Sequence, residues 1–148
     1  MPAPVPHEAY VATVHAYFDA LRNGDPDRIV ALFSTDGQVI SPFLGRMPAS
    51  AFFAKLADTS TRSEIDVFDV LVSAKGSPRA LGYFNYRWTL RDGTVLRFDC
   101  CDVFDFGQPV ESARGVEAVP IELMTIVYDT APLRDQVGDK YARTDAAS

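Results

Sequence analysis

Two long β-type runs joined at Asp92-Gly93 constrain this chain more than any other feature. Arg79–Leu90 and Thr94–Phe106 are rich in Val, Phe, Tyr, Leu and Thr, residue types that suit a pleated, half-buried surface. Asp-Gly between two such runs is a strong hairpin signal. Ile65–Val72 and Ile121–Asp129 have the same character, and Gly76-Ser77-Pro78 marks a turn. Ahead of these strands the pattern is helical. Tyr10, Val11, Val14, Tyr17, Phe18 and Leu21 recur with a 3.6-residue period, which predicts one apolar helix face. Asn23-Gly24 supplies its stop. Asp25-Pro26 restarts a short helix as N-cap and first-turn proline, with Ile29, Val30, Leu32 and Phe33 as its apolar side and Thr35-Asp36-Gly37 as its end. Gln38–Ser41 reads as a short strand stopped by Pro42. Pro48 opens a third helix around Phe52, Phe53 and Leu56. Helices first and strands second predict an α+β fold with an antiparallel sheet.

The chain has 148 residues, which suits one domain. No internal repeat or linker divides it. Residues 1–6, with three prolines, and 135–148, a polar stretch, read as loose tails. The segment Gly107–Pro120 is long for a hairpin connection, and such loops are lids, binding loops or disorder. The net charge is −6, and lysine occurs only at 55, 75 and 140. A phosphate-binding surface needs clustered Lys and Arg, so nucleic acid and anionic membranes are not expected partners. No apolar run approaches a membrane span, and MPAPVPHEAY lacks the pattern of a signal peptide.

The two cysteines, Cys100 and Cys101, are adjacent. Their Cα atoms lie about 3.8 Å apart, too close for an ordinary disulfide. Reduced thiols fit a cytoplasmic protein. With only His7 and His15 present, neither a metal site nor any other cofactor is expected. His15 points about 200° away from Tyr17 around the helix, which predicts an exposed position. A nucleophilic Cys100–His15 pair is weaker than the plain reading of Cys100 as packing.

The run Val95–Phe106 carries an acid among apolar residues. Side chains alternate between faces of a strand. Leu96, Phe98, Cys100, Asp102, Phe104 and Phe106 share one face. A carboxylate in that company either pairs with a cation, for which Arg87 is the candidate, or stays protonated. With a two-residue Asp92-Gly93 turn, Arg87 faces Phe98, Asn85 faces Cys100 and Tyr83 faces Asp102. Phe84, Tyr86 and Trp88 then fall on the opposite face. Such a sheet is apolar on both sides and needs two covers. The helices supply one, and a second copy of the chain the other, which predicts a homodimer.

The stretches VHAYFDALRNGDPDRIVALF, DGQVISP, DVFDF and IELMTIVYDTAPLR, in that order, resemble the nuclear transport factor 2-like superfamily. Within it they are similar to its SnoaL-like polyketide cyclase and ketosteroid-isomerase-like branch. The resemblance covers roughly residues 10–134. It implies a cone-shaped curved sheet wrapped by three helices (a cystatin-like α+β barrel), with a ligand cavity inside. In the steroid isomerases a helix-1 tyrosine and a protonated strand aspartate form an oxyanion hole. The matching positions here are Tyr17 and Asp102. The base of those enzymes, an aspartate before a proline, is matched by Ser41, and a serine does not abstract a carbon-bound proton as a carboxylate does. Asp129 is a candidate replacement.

The resemblance further implies a small apolar molecule with a carbonyl or phenol as ligand. Ser41, Phe43, Phe53, Leu56, Tyr83, Asn85, Arg87 and Tyr128 are its expected contacts. Met47 is a further candidate lining residue. Isomerisation, cyclisation or dehydration through an enolate is the enzymatic reading. A hydrolytic member needs an Asp-Arg-Asp relay around water, for which Arg87 and Asp102 are available. A non-catalytic ligand binder or dimerising accessory domain is the alternative. Each site residue also has a plain reading. Tyr17 and the aromatic residues serve as core, Asp102 as a structural acid bonded to Tyr83 or Arg87, and Asp129 as a strand-end turn residue.

Overall fold

In the computed structural model, which describes residues 5–131, the first helix forms where the apolar stripe predicts it. This helix, α1 (His7–Arg22), buries Tyr10, Val14, Tyr17, Phe18 and Leu21. Gly24, at φ 62°, turns the chain out of the helix in a conformation that favours glycine. The next helix, α2 (Pro26–Val30), starts as expected, with the Arg28 amide donating to Asp25 Oδ1 at 3.1 Å. It ends earlier than the sequence suggests, because Phe33 already opens strand β1 (Phe33–Ser41). The Asp36-Gly37 turn signal therefore sits inside a strand, where the pairing shifts between Phe33 and Gln38 and the backbone bends.

A short strand β2 (Gly45–Pro48) follows, unforeseen from the sequence, and then α3 (Ala49–Thr59). Strand β3 (Ser60–Val72) begins five residues before the apolar run at Ile65. Its first stretch, STRSE, is polar and carries no run of strand-forming residues, yet it is paired along β4 (Arg79–Leu90). Strand β5 (Val95–Phe106) and strand β8 (Ile121–Tyr128) lie within a residue of expectation. The long segment 107–120 holds a small hairpin of its own, β6 (Val110–Ser112) and β7 (Gly115–Ala118). The expected 135–148 tail lies outside the described residues.

Among the described residues the result is a curved, unclosed six-stranded sheet, order β2-β1-β8-β5-β4-β3, with three helices. One pairing departs from an all-antiparallel sheet, since β1 and β8 run parallel. Bulges in β3 and between Asp105 and Phe106 break the ladder and add bend and twist. The aromatic core, with Phe18, Phe53, Phe84 and Phe104 almost wholly buried, lies between α1, α3 and the concave face.

The β4–β5 register decides which side chains face that core. A two-residue turn would set Arg87 opposite Phe98. Instead Leu90 and Thr94 close a three-residue loop, with the Leu90 amide donating to the Thr94 carbonyl at 2.8 Å and Gly93 at φ 89°. That places Tyr86 opposite Phe98, Phe84 opposite Cys100 and Gly82 opposite Asp102. A one-residue slip moves every side chain of a strand to the other face. Phe84, Tyr86 and Trp88 therefore face inward, and Tyr83, Asn85 and Arg87 face outward. Gly82 is the point where α1 crosses the sheet. A Cβ there would lie 2.5 Å from the Phe18 ring.

Candidate active site

The concave face holds a cavity of about 330 Å³. Its inner end is built by Tyr17 from α1, Phe84 from β4, and Cys100 and Asp102 from β5. Tyr86, Trp88, Phe98, Ile126 and Tyr128 form one wall, and Ser41, Phe43, Phe52 and Leu56 the other. Leu44, Lys55 and Thr59, all exposed, stand at the mouth. The wall is largely aromatic. Tyr86 and Phe98 stack at 5.5 Å and 6° between planes, and Phe98 stacks on Tyr128 at 4.5 Å.

Asp102 is 3% exposed and Tyr17 2%. Both alternation along β5 and the helical stripe of α1 place them on the buried side, as the sequence suggests. The phenol and the carboxyl lie close enough that each influences the other's ionisation. The Cys100 thiol donates to Asp102 Oδ1 at 3.4 Å. Burial disfavours the charged carboxylate and pushes Asp102 up to about 7, while the donors on Cys100 and Tyr17 pull the other way. Burial, and then the nearby Asp102 charge, raise Tyr17 well above an ordinary phenol and raise the Cys100 thiol as well. Tyr86 and Tyr128 are raised chiefly by burial. At neutral pH the site therefore holds protonated phenols and a thiol around one carboxyl poised between its two states.

Two serines that the sequence reading passed over hold the aromatic wall in place. Ser63 Oγ and the Tyr86 hydroxyl lie 2.7 Å apart, and the Trp88 indole N–H donates to Ser60 Oγ. Both serines belong to the polar start of β3, where nothing in the local pattern signals a strand. Ser41 is buried at the end of β1, and its Oγ accepts the amides of Phe43 at 3.3 Å and Leu44 at 3.4 Å. It thus shapes the turn that brings Phe43 to the cavity.

Tyr17, Ser41, Phe43, Leu56, Asp102 and Tyr128 are brought together in this cavity. Phe53 is not among its lining residues. It packs in the core behind Tyr17, at 6.1 Å between rings. The expected contacts Tyr83, Asn85 and Arg87 lie on the outer face for the register reason given above. Tyr83 packs against Phe68 at 4.9 Å, Asn85 donates to Asp99 at 3.0 Å and Arg87 approaches Glu64 at 3.5 Å. Neither Tyr83 nor Arg87 is therefore the partner of Asp102. Asp129 is exposed at the strand end, where its Oδ1 accepts the Ala131 amide at 2.9 Å. His15 is exposed while Cys100 is buried, so the two do not pair. Met47 packs against the core from β2. Among the described residues no group of three or more His, Cys, Asp or Glu is arranged to hold a metal ion. No helix there is long and apolar enough to cross a membrane.

Solved structures share this architecture. A putative polyketide cyclase from Xanthomonas campestris pv. campestris superposes with a TM-score of 0.68 at 19% identity, over 88% of this chain and 97% of that one. An LEH-like epoxide hydrolase from M. tuberculosis gives 0.63 at 18% identity, over 88% and 93%. A ketosteroid isomerase-like protein from Erwinia carotovora atroseptica gives 0.61 at 15% identity, over 82% and 94%. At these identities the likeness is one of fold. No curated protein shows significant sequence similarity to the chain. The model of the SnoaL-like domain matches residues 14–109, most of the folded chain, so the protein belongs to the SnoaL-like domain family.

Proposed function

We propose that the cavity binds a small, largely apolar molecule by a carbonyl or phenol oxygen, with Tyr17 and Asp102 at that oxygen, and carries it through an enolate in an isomerisation, cyclisation or dehydration. The observation that carries this reading is a buried carboxyl set beside a buried phenol at the inner end of an aromatic-walled cavity. Preorganised donors in such a water-poor place stabilise developing negative charge. A carboxyl near 7 also suits general acid–base work at neutral pH.

Among the described lining residues Asp102 is the only carboxylate, and the resemblance matches Ser41 to the position of the steroid isomerases' base. The same group therefore serves twice. As carboxylate, Asp102 takes a proton from the carbon next to the carbonyl, and the C–H electron pair becomes the enolate double bond. The neutral acid so formed joins Tyr17 in donating to the oxygen that gains charge. As neutral acid, Asp102 returns the proton at its new position. Polyketide cyclisation and steroid isomerisation, the reactions in the names of similar structures, pass through such charge. An Asp-Arg-Asp relay for hydrolysis finds no support, because Arg87 lies on the outer face with Glu64. Ser41 in the base position favours a second reading, binding without turnover.

The outer face exposes Phe68, Leu71, Tyr83, Val95 and Val127, and we propose that a second copy of the chain covers it.

Binding of a graded series of phenols and naphthols at neutral pH, read by ultraviolet spectra, tests the site. Bound ligands should look like phenolates. Tyr17→Phe and Asp102→Asn should each weaken binding roughly tenfold or more, as expected for a hydrogen bond to a charged group. Equal affinities in all three proteins would sink the proposal. Exchange of the α-protons of a bicyclic ketone such as α-tetralone in D₂O then separates the two readings. Exchange that is lost in Asp102→Asn marks the enzyme, and binding without exchange marks the binder.

A further inference from the structure

Cys100 is a buried thiol for which the reading above has no use, and it points at the group on which that reading depends. Residues i and i+2 of a strand share a face, so Cys100 and Asp102 stand side by side on β5, and Sγ lies 3.4 Å from Oδ1. Both are buried. A thiol has one proton to give. Directed at Oδ1, that proton makes Oδ1 an acceptor, and a carboxyl oxygen that accepts at this position does not also carry the acid proton there.

We propose that Cys100 is a positioning residue for Asp102: its S–H occupies Oδ1, so that the acid proton resides on Oδ2, and the thiol supports the carboxylate form when that proton leaves. This inference rests on Asp102 being the proton-carrying group of the cavity. The titratable groups that face Asp102 are Tyr17 from α1, Tyr86 from β4, Cys100 on β5 and Tyr128 from β8. All are protonated donors at neutral pH, and none is a cation. Lys55, the one cation among the described cavity residues, is exposed at the mouth. Cys101, on the other face of the strand, is half-buried and does not share the hydrogen bond. With no counter-charge present, the carboxylate depends on neutral donors alone. Removing one of them moves its balance.

The test is an infrared titration of the ligand-free protein in a Cys101→Ala background. The protonated-carboxyl band of Asp102, assigned by its loss in Asp102→Asn, gives the midpoint. Cys100→Ala should move that midpoint upward by roughly half a unit to one unit, since S–H is a weaker donor than those worth one to two units. Cys100→Ser, with a stronger donor of similar size, should keep it or lower it. The S–H stretching band of Cys100 in the unsubstituted site should shift as Asp102 ionises, which needs no variant at Cys100 to fold. An unchanged midpoint in Cys100→Ala together with an S–H band indifferent to pH would overturn the inference. Because no ligand is involved, its failure is separate from failure of the naphthol experiment. The Cys100 effect can hold in a protein that binds no phenol, and the reverse outcome is equally readable.

Discussion

Gly82 stands directly opposite Asp102 across the β4–β5 ladder, and the Phe18 ring fills the space where a side chain at Gly82 would lie. This contact lets α1 settle close enough to the sheet to bring the preceding residue, Tyr17, up to the acid. Glycine inside a strand often marks such a close approach of another element.

Gly82→Ala should therefore be costly. Its Cβ would lie 2.5 Å from one Phe18 ring atom and 2.7 Å from another, and overpacking of this kind costs about 1–3 kcal/mol. Urea unfolding should show that loss. The double variant Gly82→Ala with Phe18→Leu should recover part of it, as contacting sites are not additive. A fully additive pair would argue against the contact.

Asp102 should also leave a mark on stability against pH. Its carboxyl is raised to about 7 in the fold, against about 3.9 in an unfolded chain. Between those values the native state binds more protons than the unfolded state. By linkage, stability from this group is then fully present below about 4 and falls as pH rises to about 7. Asp102→Asn removes the dependence. The melting temperature of the variant relative to the original protein should rise progressively from pH 4 to pH 7 and level off above. A flat difference would show that Asp102 titrates as it does in the unfolded chain.

The register makes a prediction that runs against the pattern of the residues. Arg87 and Tyr83 look like cavity residues when the turn is counted as two residues. Arg87→Ala should leave naphthol affinity unchanged and cost at most about 1 kcal/mol of stability, since its exposed pairing with Glu64 at 3.5 Å is of the weak surface kind. Ser63→Ala should weaken naphthol binding instead, because it frees the Tyr86 hydroxyl and loosens the stacked wall. Calorimetric titration of the two variants checks both. The opposite ranking would mean the β4 faces are reversed.

The proposed second copy is tested at the outer face. Sedimentation equilibrium should show a dimer for the original chain. Tyr83→Glu combined with Val127→Glu should give a monomer, because both side chains are exposed there and would place four like charges in one apolar interface. A monomeric original chain would end the proposal.

Much of the molecule was written in local patterns. The apolar stripe of α1, the Asp25-Pro26 start of α2 and the long strands β4, β5 and β8 each follow from periods and caps that a few neighbouring residues set. Alternation along β5 places Asp102 beside Cys100 and among Phe98 and Phe104, whatever lies opposite, because the period of two belongs to the strand itself. What only the tertiary structure decided were relations between strands. The closure of the 90–94 loop, with Gly93 at φ 89°, slides β4 by one residue against β5. That single step moves Tyr86 and Trp88 into the cavity and Arg87 out of it. The parallel pairing of β1 with β8 and the recruitment of the polar STRSE stretch into β3 likewise depend on partners far along the chain. A strand's faces are determined by its own residues, but which of those faces meets which neighbour is determined by a register that no local pattern contains.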